Sequence, residues 1–417
     1  MSSAVNNQNL KEQMELLVTK AFALYDELMR LYPTENDPLQ ISTRISQLEP
    51  EIKKIAEYQT CVAMMNADAT IRPLLGKTVG TIAGSAPTDS ANTCVMRFIE
   101  RMHYTLEGKT FDSALFTKHY EAFEELFYTD RLRFRDTVRL HNFESANEIV
   151  LEDGLAIIRL PLIQEGRTRM EEMRHRPHVQ FTRSNFGIER IYTKPKLVGI
   201  STIEPPPEQV ARELNESGDM FDLVIKALRI LKPSAVFRDR SITTEALTFM
   251  PYAGVQTRAP FGEYIVMGDK CVVSPKDATA LKTLYTKMKQ TKQQPFTIAS
   301  NRLGFGMERR SDEDRLLDYM IGLESLYLPD GNAELTFKLS LRVAFVTRQE
   351  MADRKHMFEF MKKLYDVRSR IAHGKGFDLT KEDISQIEEV LRQSLKIYLD
   401  KPANFSKDAL NNIYFDG

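Results

Sequence analysis

From Ser311 to the C-terminus the apolar residues recur only at helical spacing, and this run restricts the fold more than any other feature of the chain. Ser311-x-x-Asp314 and Thr380-x-x-Asp383 have the form of capping boxes and set two helix starts. Between them Leu335, Leu339, Val343 and Val346 make one stripe, and Phe360, Leu364, Val367 and Ile371 another. Ile384, Ile387, Leu391, Leu395 and Tyr398 make the last. A helix with one apolar stripe must bury it against a neighbour, so four in succession predict a bundle.

Upstream the pattern is mixed. Met14, Leu17, Ala21, Leu24 and Leu28, then Ile41, Ile45, Leu48, Ile52 and Ile55, read as a helical hairpin broken at Pro33 and Pro38, formed for packing or for self-association. Gly76 to Asn92 is rich in Gly, Ser, Thr and Ala and reads as a loop or linker; Gly76-Lys77-Thr78 is no phosphate loop, because Ile71 stands where such a loop needs glycine. Ile149–Ile158 and Tyr264–Val273 each carry a hairpin signal, with turns at Asp153-Gly154 and Gly268-Asp269. Pro205-Pro206-Pro207 precedes a helix reaching about Leu231. The expected fold is therefore α+β: a helical hairpin over 1–75, a mixed α+β domain over 76–300 that senses a trigger or positions a substrate, and an all-α bundle of four or five helices over 301–417.

Composition narrows the functional classes. At 417 residues, with a formal net charge of −1, the chain is no general polyanion binder, and a nucleic-acid site has to be a local patch. Three widely spaced cysteines, Cys61, Cys94 and Cys271, supply neither a disulfide framework nor a zinc ribbon. The N-terminus lacks a basic segment followed by an apolar one, and no apolar run has membrane length, so a cytoplasmic protein without a membrane partner is expected.

Arg368-Ser369-Arg370-Ile371-Ala372-His373-Gly374 places an arginine and a histidine at the end of the third helix of the bundle. Arginine grips a phosphate with a planar fork, and histidine exchanges protons near neutral pH, which are the two tasks of metal-free RNA cleavage. Spacing alone is weak: each of the seven histidines has roughly a 7% chance of an arginine five places before it. Arg97/His103, Arg135/His141 and Arg169/His175 come within one residue of the same spacing. Context separates them. Gly374 is placed to end the helix in a left-handed conformation, which puts His373 in the last turn, where the carbonyl end favours a positive charge. At about 100° per residue, Arg368 and His373 point roughly 140° apart, so a compact site calls for two copies across a two-fold axis.

The run Asp312-Glu313-Asp314-Arg315-Leu316-Leu317-Asp318-Tyr319-Met320-Ile321-Gly322-Leu323-Glu324-Ser325-Leu326, then Leu341-Arg342-Val343-Ala344-Phe345, then Arg368 to Gly374, resembles a HEPN domain of the Apea-like group in order and spacing over about residues 300–405. Leu223 to Ser241 is similar, less specifically, to the N-terminal region such proteins carry. The resemblance implies a dimerising helical bundle that cuts RNA without a metal or cofactor, often as a toxin or anti-phage effector. It makes Arg368 and His373 the catalytic pair, with Ser369 as helper and a homodimer, RNA and a regulatory protein or trigger as partners. HEPN toxins silenced by nucleotide transfer carry a tyrosine two residues after the histidine; Lys375 stands there, against such an antitoxin. The alternative function is a non-catalytic HEPN scaffold that binds RNA or protein partners.

Arg370 and Lys375 beside the motif, and Arg167, Arg169, Arg174 and Arg176 in the densest basic stretch, are the candidate RNA contacts, although a solvated helix face has the same composition. Arg131, Arg133 and Arg135 would share one face of a strand, as a phosphate contact or a solvated edge. Glu359 and Lys363 read as an i,i+4 surface pair or as upstream polar residues of a HEPN site. His175 and His178 lack the partners of a metal site, and no metal is expected.

Overall fold

The computed structural model describes residues 5–31, 47–81, 84–88, 90–106, 111–160, 184–199, 207–252, 256–258, 269–329, 334–374 and 378–413. The first half of the chain runs α1 (Gln8–Leu31), α2 (Ala56–Ala67), β1 (Thr78–Thr81), β2 (Gly84–Pro87), α3 (Ala91–Leu106), α4 (Ser113–Tyr128), β3 (Arg131–His141), β4 (Phe143–Ser145), β5 (Ile149–Glu152), β6 (Leu155–Arg159), β7 (Phe186–Pro195) and β8 (Leu197–Val198). The second half runs α5 (Pro207–Leu231), β9 (Phe237–Arg238), β10 (Ile242–Ala246), β11 (Gln256–Arg258), β12 (Cys271–Val273), α6 (Pro275–Gln290), α7 (Gln294–Glu308), α8 (Asp312–Tyr327), α9 (Leu335–Thr347), α10 (Met351–Ala372), α11 (Lys381–Asp400) and α12 (Lys407–Asn412). The fold is mixed α+β. Among the described residues no helix is long and apolar enough to cross a membrane.

The chain forms two compact units, neither contiguous: residues 1–136, 190–217 and 243–258 make the first, and 137–189, 218–242 and 259–417 the second. In the first unit α1 to α4 enclose an apolar core in which Phe98 meets Phe116, Tyr120, Phe123 and Phe249 edge-on. Met14, Leu17 and Ala21 are buried as their spacing predicts, joined by Val18, Phe22 and Tyr25, while Leu24 and Leu28 are only partly covered. Of the second stripe, Ile52 is buried and Leu48 and Ile55 half-buried; Ile41 and Ile45 lie outside the described residues.

Two stretches of the first unit depart from the sequence expectation. The stretch read as a linker contains β1 and β2, which pair antiparallel, with β8 on the other side of β1. Its Thr and Val residues suit a strand, and the third partner lies more than a hundred residues away, beyond any local signal. The arginine-bearing strand is no edge: in the first unit β3 lies between β10 and β7. Arg133 pairs with Glu125 at 2.7 Å, Arg135 with Glu245 at 3.5 Å, and Arg131 Nε donates to Thr193 Oγ1 at 2.8 Å, so all three are tied to the fold.

In the second unit β5 and β6 pair antiparallel, Ile149 opposite Ile157, around Gly154 at φ +72°, as the hairpin signal predicts. The other signal is met only in its second arm. Cys271–Val273 pairs in parallel with β4, Cys271 opposite Phe143, whereas 264–268 lie outside the described residues.

The helical bundle is built around α8, which packs on α7, α9, α10 and α11. It begins at Gln294, because α7 runs through position 301 and lies along α8. The approach is close: a Cβ added at Gly306 would come within 2.2 Å of the Tyr319 ring. Arg302 of α7 and Arg309, which caps it, both grip Asp318 of α8, at 2.6 and 2.8 Å. Leu316, Tyr319, Met320 and Leu323 of α8 are buried with Leu339 and Val343 of α9 and Ile387, Leu391 and Leu395 of α11. Each such side chain contributes roughly 1.5–3 kcal/mol of burial. The Thr380/Asp383 capping box is complete, and Ser311 Oγ accepts from the Asp314 amide.

Candidate functional site

Helix α10 carries the site because its apolar face is regular and its end is defined. Met357, Phe360, Met361, Leu364 and Val367 are buried at i, i+3, i+4 spacing, and Ile371 is partly covered. The helix stops at Ala372. His373 is its cap, with φ −101° and ψ 8°, and its amide donates to the carbonyls of Ser369 and Arg370 at 3.2 Å. Gly374 follows at φ +63°, the left-handed turn its position predicts. The imidazole of His373 therefore stands exposed on the rim of the bundle, as do Ser369 and Arg370.

Arg368 is placed differently. It is partly covered, and its Nη2 donates to Glu324 Oε2 at 3.2 Å, across to α8. Its guanidinium also lies 5.4 Å above the Tyr365 ring, one turn back on the same helix. Burial pushes the Glu324 carboxyl up, with Arg368 pulling the other way. Burial likewise raises the Tyr365 phenol, helped by the Glu324 charge and opposed by Arg368. Among the described residues, the buried Arg368 Nε and Glu324 Oε1 have no hydrogen-bond partner, so this cluster is incompletely satisfied.

The sequence indicates neither Glu324 nor Tyr365 as a site residue. Glu324 stands in the run that carries the HEPN resemblance, but only the packing of α8 on α10 brings it to an arginine 44 positions later. Tyr365 is three residues before Arg368, a spacing at which helical side chains meet, and that signal was available locally. Lys363 bonds both carboxylate oxygens of Asp383, at 2.9 and 2.8 Å, and so ties α10 to the first turn of α11; this replaces the expected surface pairing with Glu359. Lys375, Arg167, Arg169, Arg174 and Arg176 lie outside the described residues.

The competing arginine–histidine spacings resolve into structural roles where they are described. His103 is buried, stacked on Phe22 with centroids 3.7 Å apart, and Arg97 pairs with Glu100. His141 bonds Asp239 Oδ1 at 2.7 Å and stacks on Phe237. His175 lies outside the described residues. Among the described residues no three His, Cys, Asp or Glu side chains gather in a group that could hold a metal ion.

The chain matches no protein-family model, no curated protein and no solved structure.

Proposed function

We propose that this chain is a metal-independent endoribonuclease of the HEPN type that acts as a toxin or anti-phage effector. The observation that carries the reading is the end of α10, where an exposed histidine caps the helix and an arginine is anchored one and a half turns before it. An RNA phosphate would be held by the Arg368 guanidinium, whose charge offsets the negative charge that builds on the non-bridging oxygens. The ribose 2'-oxygen bonds to phosphorus as the bond to the 5'-oxygen breaks. One proton leaves the 2'-hydroxyl and one reaches the departing oxygen, and imidazole serves for such transfers. The products are a 2',3'-cyclic phosphate and a free 5'-hydroxyl. Arg370 at the same helix end adds positive charge for the backbone, and two copies meeting at this face supply two such pairs to one cleft.

The test is incubation of the purified protein with total cellular RNA in EDTA, beside the His373→Ala and Arg368→Ala variants, with the fragment ends identified. Cleavage by the parent should fall by about 10²–10⁴-fold in each variant. Full activity of both variants overturns the reading.

The Arg368–Glu324 ion pair favours one other reading, in which the bundle is a non-catalytic HEPN scaffold and the arginine joins two helices. That reading expects RNA to be bound with no product at any enzyme concentration.

A further inference from the structure

Arg370 shares a face of α10 with His373, and Arg368 does not. At about 100° per residue Arg370 and His373 lie roughly 60° apart around the helix, against roughly 140° for Arg368 and His373. The His373 amide donates to the Arg370 carbonyl at 3.2 Å, which closes the turn between them and brings side chains three apart nearer to eclipse. Such neighbours stand with Cβ atoms about 5–6 Å apart, near enough for both side chains to meet one phosphate group. Both residues are exposed, and Arg370 is the basic residue of the last turn.

The two arginines are also unequally engaged. Arg368 has its Nη2 on Glu324 Oε2 at 3.2 Å, its Nε buried and its guanidinium over the Tyr365 ring, which leaves Nη1 as the amino group it has to offer. Among the described residues no carboxylate pairs with Arg370, and that includes the exposed Asp366, one turn before it on the same face. An exposed pair at that spacing would be weak and would give way to a phosphate, whose oxygens match the guanidinium fork. The fork of Arg370 is therefore open to a ligand beside the imidazole.

We propose that Arg370 is a second catalytic arginine, gripping the scissile phosphate in the same subunit as His373, while Arg368 reaches that phosphate from the other copy. The proposal rests on the ribonuclease reading and adds to it a residue and a division of labour between subunits. Arg370 neutralises the non-bridging oxygens as the 2'-oxygen bonds to phosphorus, and holds the departing 5'-oxygen next to the imidazole that protonates it.

Steady-state cleavage of a mixed-sequence RNA in EDTA by the full chain and its variants tests this. Arg370→Ala should lower kcat by about 10²–10³-fold with KM little changed, the loss expected when one donor to the developing charge is removed. Arg370→Lys, which keeps the charge without the fork, should stand between the parent and Arg370→Ala. The side chain is exposed, and an unchanged circular-dichroism melt certifies each variant as folded. Mixing Arg368→Ala with Arg370→Ala protein should recover about a quarter of parental cleavage, since one site in each mixed dimer is intact. Mixing Arg370→Ala with His373→Ala should recover none, because both lesions fall on the same half of every site. Absence of cleavage by the parent overturns the ribonuclease reading and this proposal with it. Cleavage by the parent together with parental kcat in Arg370→Ala, or a change confined to KM, overturns this proposal alone. So does recovery in the second mixture, or its absence in the first.

Discussion

Arg368 does two things at once, and the residue scale shows how they conflict. It is offered to the surface beside His373, yet one of its amino groups is given to Glu324. A phosphate bound there competes with a carboxylate already in place, so the arginine is held in position at some cost to its pull on a ligand. The sequence made Arg368 and His373 legible because helix periodicity and a glycine terminator are local signals; Glu324 was illegible as their neighbour because it depends on how two helices pack. The same scale gives a pH prediction. His103 is 1% exposed and its imidazole is pushed down to about 3 by burial between Phe22 and Tyr25. A depressed value means the folded state favours the neutral ring: the contribution to stability is full above the ordinary value near 6.5 and is lost as pH falls towards 3. Between pH 7 and pH 5 this amounts to about 2 kcal/mol from His103 alone. Urea unfolding followed by circular dichroism should show the parent losing about 2 kcal/mol more stability over that interval than His103→Phe. Equal losses in the two proteins would remove the buried-histidine account.

At the scale of elements, the α7–α8 contact is the tightest joint in the bundle. Gly306 lets the Tyr319 ring lie against the α7 backbone, and the Tyr319 hydroxyl donates to Glu388 Oε2 of α11 at 2.6 Å. Glu388 in turn holds Arg392, whose Nε donates to the Arg229 carbonyl. Gly306→Ala must push the ring aside and loosen that bond, so it should destabilise by about 1–3 kcal/mol, whereas alanine in an open helix position would stabilise. A thermal melt of Gly306→Ala at or above the parent midpoint would show that the ring can move freely. The bundle helices were legible in the sequence because each stripe and cap is written within a few residues. The sheet of β1, β2 and β8 was not, since glycine, serine and threonine are as common in loops as in short strands and the pairing partner is remote.

For the whole molecule, the angle of roughly 140° between Arg368 and His373 on one helix makes the second copy part of the proposed mechanism. Light scattering at micromolar concentration should give twice 48.0 kDa. If a site takes its arginine from one copy and its histidine from the other, mixing Arg368→Ala with His373→Ala protein restores one intact site in each mixed dimer. Random exchange then recovers roughly a quarter of parental cleavage, and no recovery assigns both residues to one subunit. Chain order does not reveal the two compact units, because contacts that assemble them skip over one another along the sequence. The backbone passes between them at 136/137, 189/190, 217/218, 242/243 and 258/259, three times within strands and once within α5. Inheritance follows from that threading. A frameshift or stop before position 258 damages both units, and residues 301–417 expressed alone would lack Val138, Phe221, Leu228 and Leu281 from their own core. Recombination at a single junction therefore cannot lend either unit intact to another gene.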